Sequence, residues 1–216
     1  MTTLATHPST HVMLRPDLDI ISGWITPGSR VLDLGCGDGT LLAHLWDTRQ
    51  VSGYGLEIDS GNIAKCIRAG VNVIQTDLDA GLSDFDEASF DYVVMTQTLQ
   101  AVYYPARLLD EMLRVGREGI VTFPNFGHWR CRMHLALRGR MPVSRTLPEE
   151  WYNTPNIHLC TLRDFEALCA KNGIRILQRT VVDYAHHSNF AMSLLPNLLG
   201  EIALYRFQRI KPKNGD

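Results

Sequence analysis

VLDLGCGDGT, residues Val31 to Thr40, is the stretch whose reading decides the fold. Val31, Leu32, Asp33 and Leu34 read as a short buried strand, and Thr40, Leu41, Leu42, Ala43 and Leu45 as the start of a helix. Gly35, Gly37 and Gly39 make the tight loop between them, with Cys36 as a small residue inside it. A glycine loop joining a strand to a helix lets backbone N–H groups approach a ligand closely. Taken alone, such a run is shared with dinucleotide-binding folds. Two acids sharpen it. Asp33 lies just inside the strand end, and Glu57 closes the next apolar run, YGLEID, a spacing that suits a ribose held through both hydroxyls. The glycines depart from the dinucleotide pattern GxGxxG, and the loop lacks the lysine of a P-loop.

Outward from this loop the chain alternates. Val51 to Ile58 reads as a second strand, Asn62 to Ala69 as a helix stopped by Gly70, and Val71 to Asp77 as a third strand. A fourth strand centres on Tyr92 to Met95. Pro105 to Val115 follows as a helix with Leu108, Leu109, Met112, Leu113 and Val115 as its buried stripe. EGIVTFPN is a fifth strand. Strands alternating with helices predict right-handed crossovers and a parallel sheet covered on both faces. After Phe126 the character changes. A helix around His128 to Leu137 gives way to a long loop through GRMPVSRTLPEEWYNTPN, of the kind that forms lids and binding elements. Thr161 reads as an N-cap with Asp164 three residues on. The helix it opens runs to Asn172, and IRILQRTVVDY and EIALYRFQRI are the last two strands. The whole chain, 1–216, reads as one domain. It comprises an N-terminal extension and helix (1–26), a ligand-binding core (27–125), a lid or partner-binding insertion (126–160), and a C-terminal helix with two strands (161–210). Lys211 to Asp216 reads as a frayed tail.

Composition sets limits. A net charge of -2 argues against nucleic acid as a partner. One local exception, Arg130 to Arg145, holds five arginines and no acid, and reads equally as a solvated helix face or as a surface for an anionic ligand or acidic partner. The five cysteines show no CxxC pairing, so neither a disulfide framework nor a metal site is expected. No apolar run reaches the roughly 20 residues of a membrane span. The start, MTTLATHPST, lacks the basic and apolar regions of a signal peptide, so a cytoplasmic protein is expected.

Ligands of open α/β sheets bind beyond the carboxyl ends of the strands. Asp33, Glu57 and Asp77 stand at three successive ends. Any one of them alone reads as a helix cap; three together with GCGDG point to an adenosyl ligand. In that reading Glu57 holds ribose, Asp77 accepts from an exocyclic amine with Leu78 against the base, and Asp33 orients the loop or meets an ammonium. His128 in GHW and His158 in NTPNIH are weak candidates for a general base, and a structural hydrogen bond or an interface explains each at least as well.

DLGCGDG, GLEID, QTDLD and SFDYVVMTQTLQ resemble successive motifs of the class I S-adenosylmethionine-dependent methyltransferases. The resemblance implies a three-layer Rossmann-like fold with a mostly parallel seven-stranded sheet. It also implies S-adenosylmethionine or S-adenosylhomocysteine as ligand. The glycine loop Gly35 to Gly39 would lie under the methionine moiety, Glu57 on ribose, Asp77 on adenine, and Gln97 at the methionine end. FPNFGHWRCRMHLALRGRMP and LPEEWYNTPNIHLCTLRDFEALC resemble the MetW methionine-biosynthesis family. That resemblance implies a partnership with homoserine O-acyltransferase, which such proteins activate, and leaves the chain's own catalysis open. The alternative is methyl transfer to a small-molecule acceptor. A nicotinamide-dependent oxidoreductase is weaker, since no hydride-transfer residues are present.

Overall fold

The computed structural model describes residues 15–185, 187–188 and 190–210. The extension ahead of residue 15 and the tail at 211–216 lie outside the described residues. Helix α1 (Pro16–Trp24) leads into β1 (Arg30–Leu34), α2 (Thr40–Arg49), β2 (Ser52–Glu57), α3 (Ser60–Arg68) and β3 (Val73–Gln75). A single 3₁₀ turn (Leu78–Ala80) precedes β4 (Phe90–Thr96), α4 (Pro105–Val115) and β5 (Gly116–Pro124). Then come α5 (Trp129–Arg138), α6 (Leu162–Lys171), β6 (Ile174–Val182), the short α7 (Phe190–Leu194) and α8 (Pro196–Leu199), and β7 (Ile202–Arg209).

One seven-stranded sheet runs in the order β3-β2-β1-β4-β5-β7-β6. β1 to β5 pair in parallel, which requires each crossover to travel over a face of the sheet. β7 is antiparallel to both β5 and β6. The sheet is thus mostly parallel, as the resemblance implies, with β7 as the antiparallel strand. Among the described residues between β6 and β7 the helices are of 5 and 4 residues, and the chain turns back at the same edge instead of crossing the sheet.

Strand periodicity sends alternate side chains into two apolar layers. Leu32, Val93, Met95, Val121, Phe123 and Tyr205 pack against α4 and α6. Val31, Val94, Ile120 and Leu204 pack with α1 and α2 on the other face. All five residues of the stripe expected in α4 are buried, and Pro105 sits in its first turn, where a missing N–H costs nothing. At α6 the Thr161 hydroxyl accepts from Asp164 N–H while the Asp164 carboxylate accepts from Thr161 N–H, a reciprocal cap.

Candidate functional site

β1 ends in Leu34, and the chain enters left-handed backbone at Gly35 (φ +70), Gly37 (φ +58) and Gly39 (φ +81). At Gly35 the conformation and the space both demand glycine, because a Cβ there would lie 2.6 Å from Thr98 Oγ1. Gly35 and Cys36 donate to the Leu56 carbonyl at 2.8 and 3.0 Å, so the loop is stitched to the end of β2. Glu57 completes the stitch. Its Oε2 accepts from Gly37 N–H at 2.8 Å, and Oε1 accepts from Ile58 and Asp59 N–H at 2.8 and 2.9 Å. The residue expected to hold a ribose thus first holds the loop itself. Oε1 is filled by two donors and Oε2 keeps one acceptor position.

Asp33 is 1% exposed, and its Oδ1 has no hydrogen-bond partner. Burial, with the Glu57 charge adding to it, raises its pKa to about 7. The folded pKa therefore exceeds the unfolded one, and the folded protein binds the extra proton between about pH 4 and pH 7. Stability from this group is full below that window and falls as pH rises through it. Asp33→Asn, which cannot ionise, is expected to gain roughly 2–4 kcal/mol over the parent at pH 8 and little at pH 4. Urea titrations at the two pH values check this; an equal difference at both would contradict it.

The other expected ligand-side residues gather at the same carboxyl edge. Asp77 is exposed and accepts from Asp79 N–H at 2.9 Å, so it caps the 3₁₀ turn that carries the half-buried Leu78. Gln97 is exposed, with φ +53, and its N–H reaches both the carbonyl and the hydroxyl of Thr122 at 3.0 Å. Cys36 is buried with its Sγ 3.8 Å from Cys66 Sγ, and burial pushes its thiol well above the usual range. That is the behaviour of a packing residue.

The two histidines sit in different settings. His128, at the N-cap position of α5, is 6% exposed, and burial lowers its pKa, so the ring is neutral at pH 7. His158 is exposed; its Nε2 lies 3.3 Å from the Tyr103 carbonyl and its N–H donates to the Gln100 carbonyl at 3.0 Å. The NTPNIH segment is therefore a strap laid along the β4–α4 loop. Of the arginines, Arg132 donates to the Gly127 carbonyl, Arg145 stacks over Tyr184, and Arg138 and Arg140 are exposed. Three site-shaping residues escape a sequence reading: Thr98 against Gly35, Gln100, which is 2% exposed and donates to the Pro124 carbonyl, and Glu201 beside His128. Only strand register brings them in. Among the described residues no group of three His, Cys, Asp or Glu could hold a metal ion, and no helix is long and apolar enough to cross a membrane.

The strand order, the antiparallel β7 and the glycine loop after β1 define a class I methyltransferase fold. Solved structures share it. An S-adenosylmethionine-dependent methyltransferase from Mesorhizobium loti superposes with a TM-score of 0.63 at 17% identity, over 90% of this chain and 98% of that one. A SAM-dependent methyltransferase from Archaeoglobus fulgidus gives 0.63 at 14% identity, over 90% and 92%. At such identities the likeness speaks for the fold alone. Sequence similarity goes further: residues 15–207 match the family described as methionine biosynthesis protein MetW, and the chain belongs to that family. A relative from Rhodopirellula baltica, the bifunctional methionine biosynthesis protein MetXA/MetW, is 36% identical over 94% of the chain. The chain spans 34% of that relative's length.

Proposed function

We propose that the glycine loop, Asp33, Glu57, Asp77, Leu78 and Gln97 bind S-adenosylmethionine or S-adenosylhomocysteine, and that the protein partners with and activates homoserine O-acyltransferase in methionine biosynthesis. The observation that carries the ligand reading is the orphaned, buried Asp33 Oδ1 at the strand end beside the loop. A buried carboxylate without a partner is costly, and an ammonium from the ligand's amino-acid end supplies the missing charge. The remaining acceptor position on Glu57 Oε2 suits a ribose hydroxyl, and left-handed glycines leave room for backbone N–H groups to approach the ligand. When bound, S-adenosylmethionine supplies an activated methyl on sulfur. The chain's own residues bind and orient that end.

The fused relative supports the partner, since its name joins MetXA and MetW in one chain. The surface supports it as well. α5 buries only Cys131 among its residues, while Met133, Leu135 and Leu137 are 47%, 43% and 77% exposed. Trp151 and Tyr152, at 72% and 70%, lie on the loop that follows. Exposed aromatic and aliphatic anchors of this kind carry protein–protein contacts.

Leu137→Glu and Trp151→Ala are expected to weaken binding to homoserine O-acyltransferase by tenfold or more each, with melting temperature and S-adenosylhomocysteine affinity unchanged. Surface plasmon resonance against the acyltransferase from the same cell, alongside calorimetry with the adenosyl ligand, makes the measurement. Partner affinity that survives both substitutions would take the α5 face out of the contact.

A further inference from the structure

A cavity of about 290 Å³ lies at the carboxyl ends of β5 and β6, at the other side of the sheet from β2 and β3. Register forms it. Pro124 of β5 and Val182 of β6 both stand opposite Ile202 of β7. The residues just beyond these ends, among them His128, Asp183 and Glu201, therefore converge, and Trp129, Arg130 and Met192 complete the wall. None of these belongs to the glycine-loop site.

Two polar side chains on this wall make no direct hydrogen bond to another described residue. The Glu201 side chain is 18% exposed, and among the described residues no donor reaches its carboxylate at hydrogen-bond distance. His128 Nε2 and Arg130 Nη1 both stop 3.9 Å from its Oε1. His128 is 6% exposed, and its ring makes no hydrogen bond to any described residue. A carboxylate and a neutral imidazole that face one cavity without a direct protein partner are both available to a polar ligand. Arg130 is the third element. Its guanidinium stacks over the Trp129 ring at 5.5 Å while its side chain stays 69% exposed, which holds the fork in place and leaves its N–H donors accessible. The cavity thus offers an acceptor for a cation, a donor for an anion, and an apolar wall.

We propose that this cavity binds a small α-amino acid as its zwitterion. The ammonium lies between Glu201 and His128, the carboxylate on Arg130, and the side chain against Trp129 and Met192. An amine or a carboxylic acid alone satisfies half of the site. A phosphorylated ligand is disfavoured by the two carboxylates, Glu201 and Asp183. The volume sits near the lower end of the range for ligand pockets, about 300 Å³, which suits a molecule of this size. The proposal goes beyond the adenosyl and partner reading and does not depend on it.

Calorimetry on the full chain tests it, with L-homoserine and L-methionine as probes. Methioninol, which lacks the carboxylate, and 4-(methylthio)butanoate, which lacks the amine, are the truncated controls. At least one amino acid is expected to bind, with both truncated compounds weaker by tenfold or more. Glu201→Gln and Arg130→Ala are expected to weaken it tenfold or more without changing the melting temperature, since neither side chain makes a short hydrogen bond in the fold. Saturating S-adenosylhomocysteine is expected to leave the amino-acid affinity unchanged. Absence of binding at millimolar concentrations, equal binding of the truncated compounds, or unaltered affinity in both variants would overturn the proposal. Competition with S-adenosylhomocysteine would also overturn it, by placing the amino acid at the glycine loop. Titration of S-adenosylhomocysteine into the same preparation reads the adenosyl site separately, so the two failures are distinct.

Discussion

Glu57→Ala is expected to lose more than a hundredfold in affinity for S-adenosylhomocysteine and roughly 2–4 kcal/mol of stability. Both effects have one origin. The Glu57 carboxylate gathers the N–H groups of Gly37, Ile58 and Asp59, tying the glycine loop to the end of β2. Hydrogen bonds to a charged acceptor are the strong ones, and the residue is only 8% exposed, so water replaces them poorly. Removing the side chain frees the loop as well as removing the remaining acceptor for a ribose hydroxyl. Glu57→Gln keeps one carbonyl oxygen and is expected to fall between the two. Denaturant unfolding and calorimetry separate the losses. Unchanged ligand affinity in a folded Glu57→Ala protein would remove this residue from the site.

Gly35→Ala is the second large effect, about 2–4 kcal/mol of destabilisation with loss of measurable adenosyl binding. A left-handed φ of +70 strains any residue with a Cβ, and here the added carbon meets the Thr98 side chain at 2.6 Å. Thr98 is fixed in turn by its hydroxyl, which donates to the Thr96 carbonyl at 3.0 Å, so it yields only by breaking that bond. Gly37→Ala has a φ of +58 and nothing within 4 Å of the added carbon, so it is the milder control, carrying strain without a clash. Thermal unfolding of the pair makes the comparison. Equal destabilisation would mean that the Thr98 contact contributes nothing.

Elements with a strong local signal are legible in the sequence itself. Pro105 to Val115 is helical over the expected span because Pro at the start and five apolar residues at helical spacing leave little alternative. Thr161 and Asp164 mark their helix start because a capping box is written in four consecutive residues. The direction of β7 is not legible, since antiparallel pairing with β5 and β6 is a property of register and not of EIALYRFQRI. Helices α7 and α8 are too short for their periodicity to show. At the candidate site, the glycines and strand-end acids stand out by type and spacing. What Glu57 and Asp77 do in the fold, gathering backbone N–H groups, depends on neighbours that only the folded chain supplies. Glu201 meets His128 for the same reason, across residues far apart in sequence.

The measurement that tests the central claim most directly is the rate of homoserine acylation by the acyltransferase from the same cell, assayed alone and with this protein added. A large gain in rate is expected on addition, lost again with Leu137→Glu. An acyltransferase that runs at full rate alone, gains nothing from the protein and forms no complex with it would contradict the activator role.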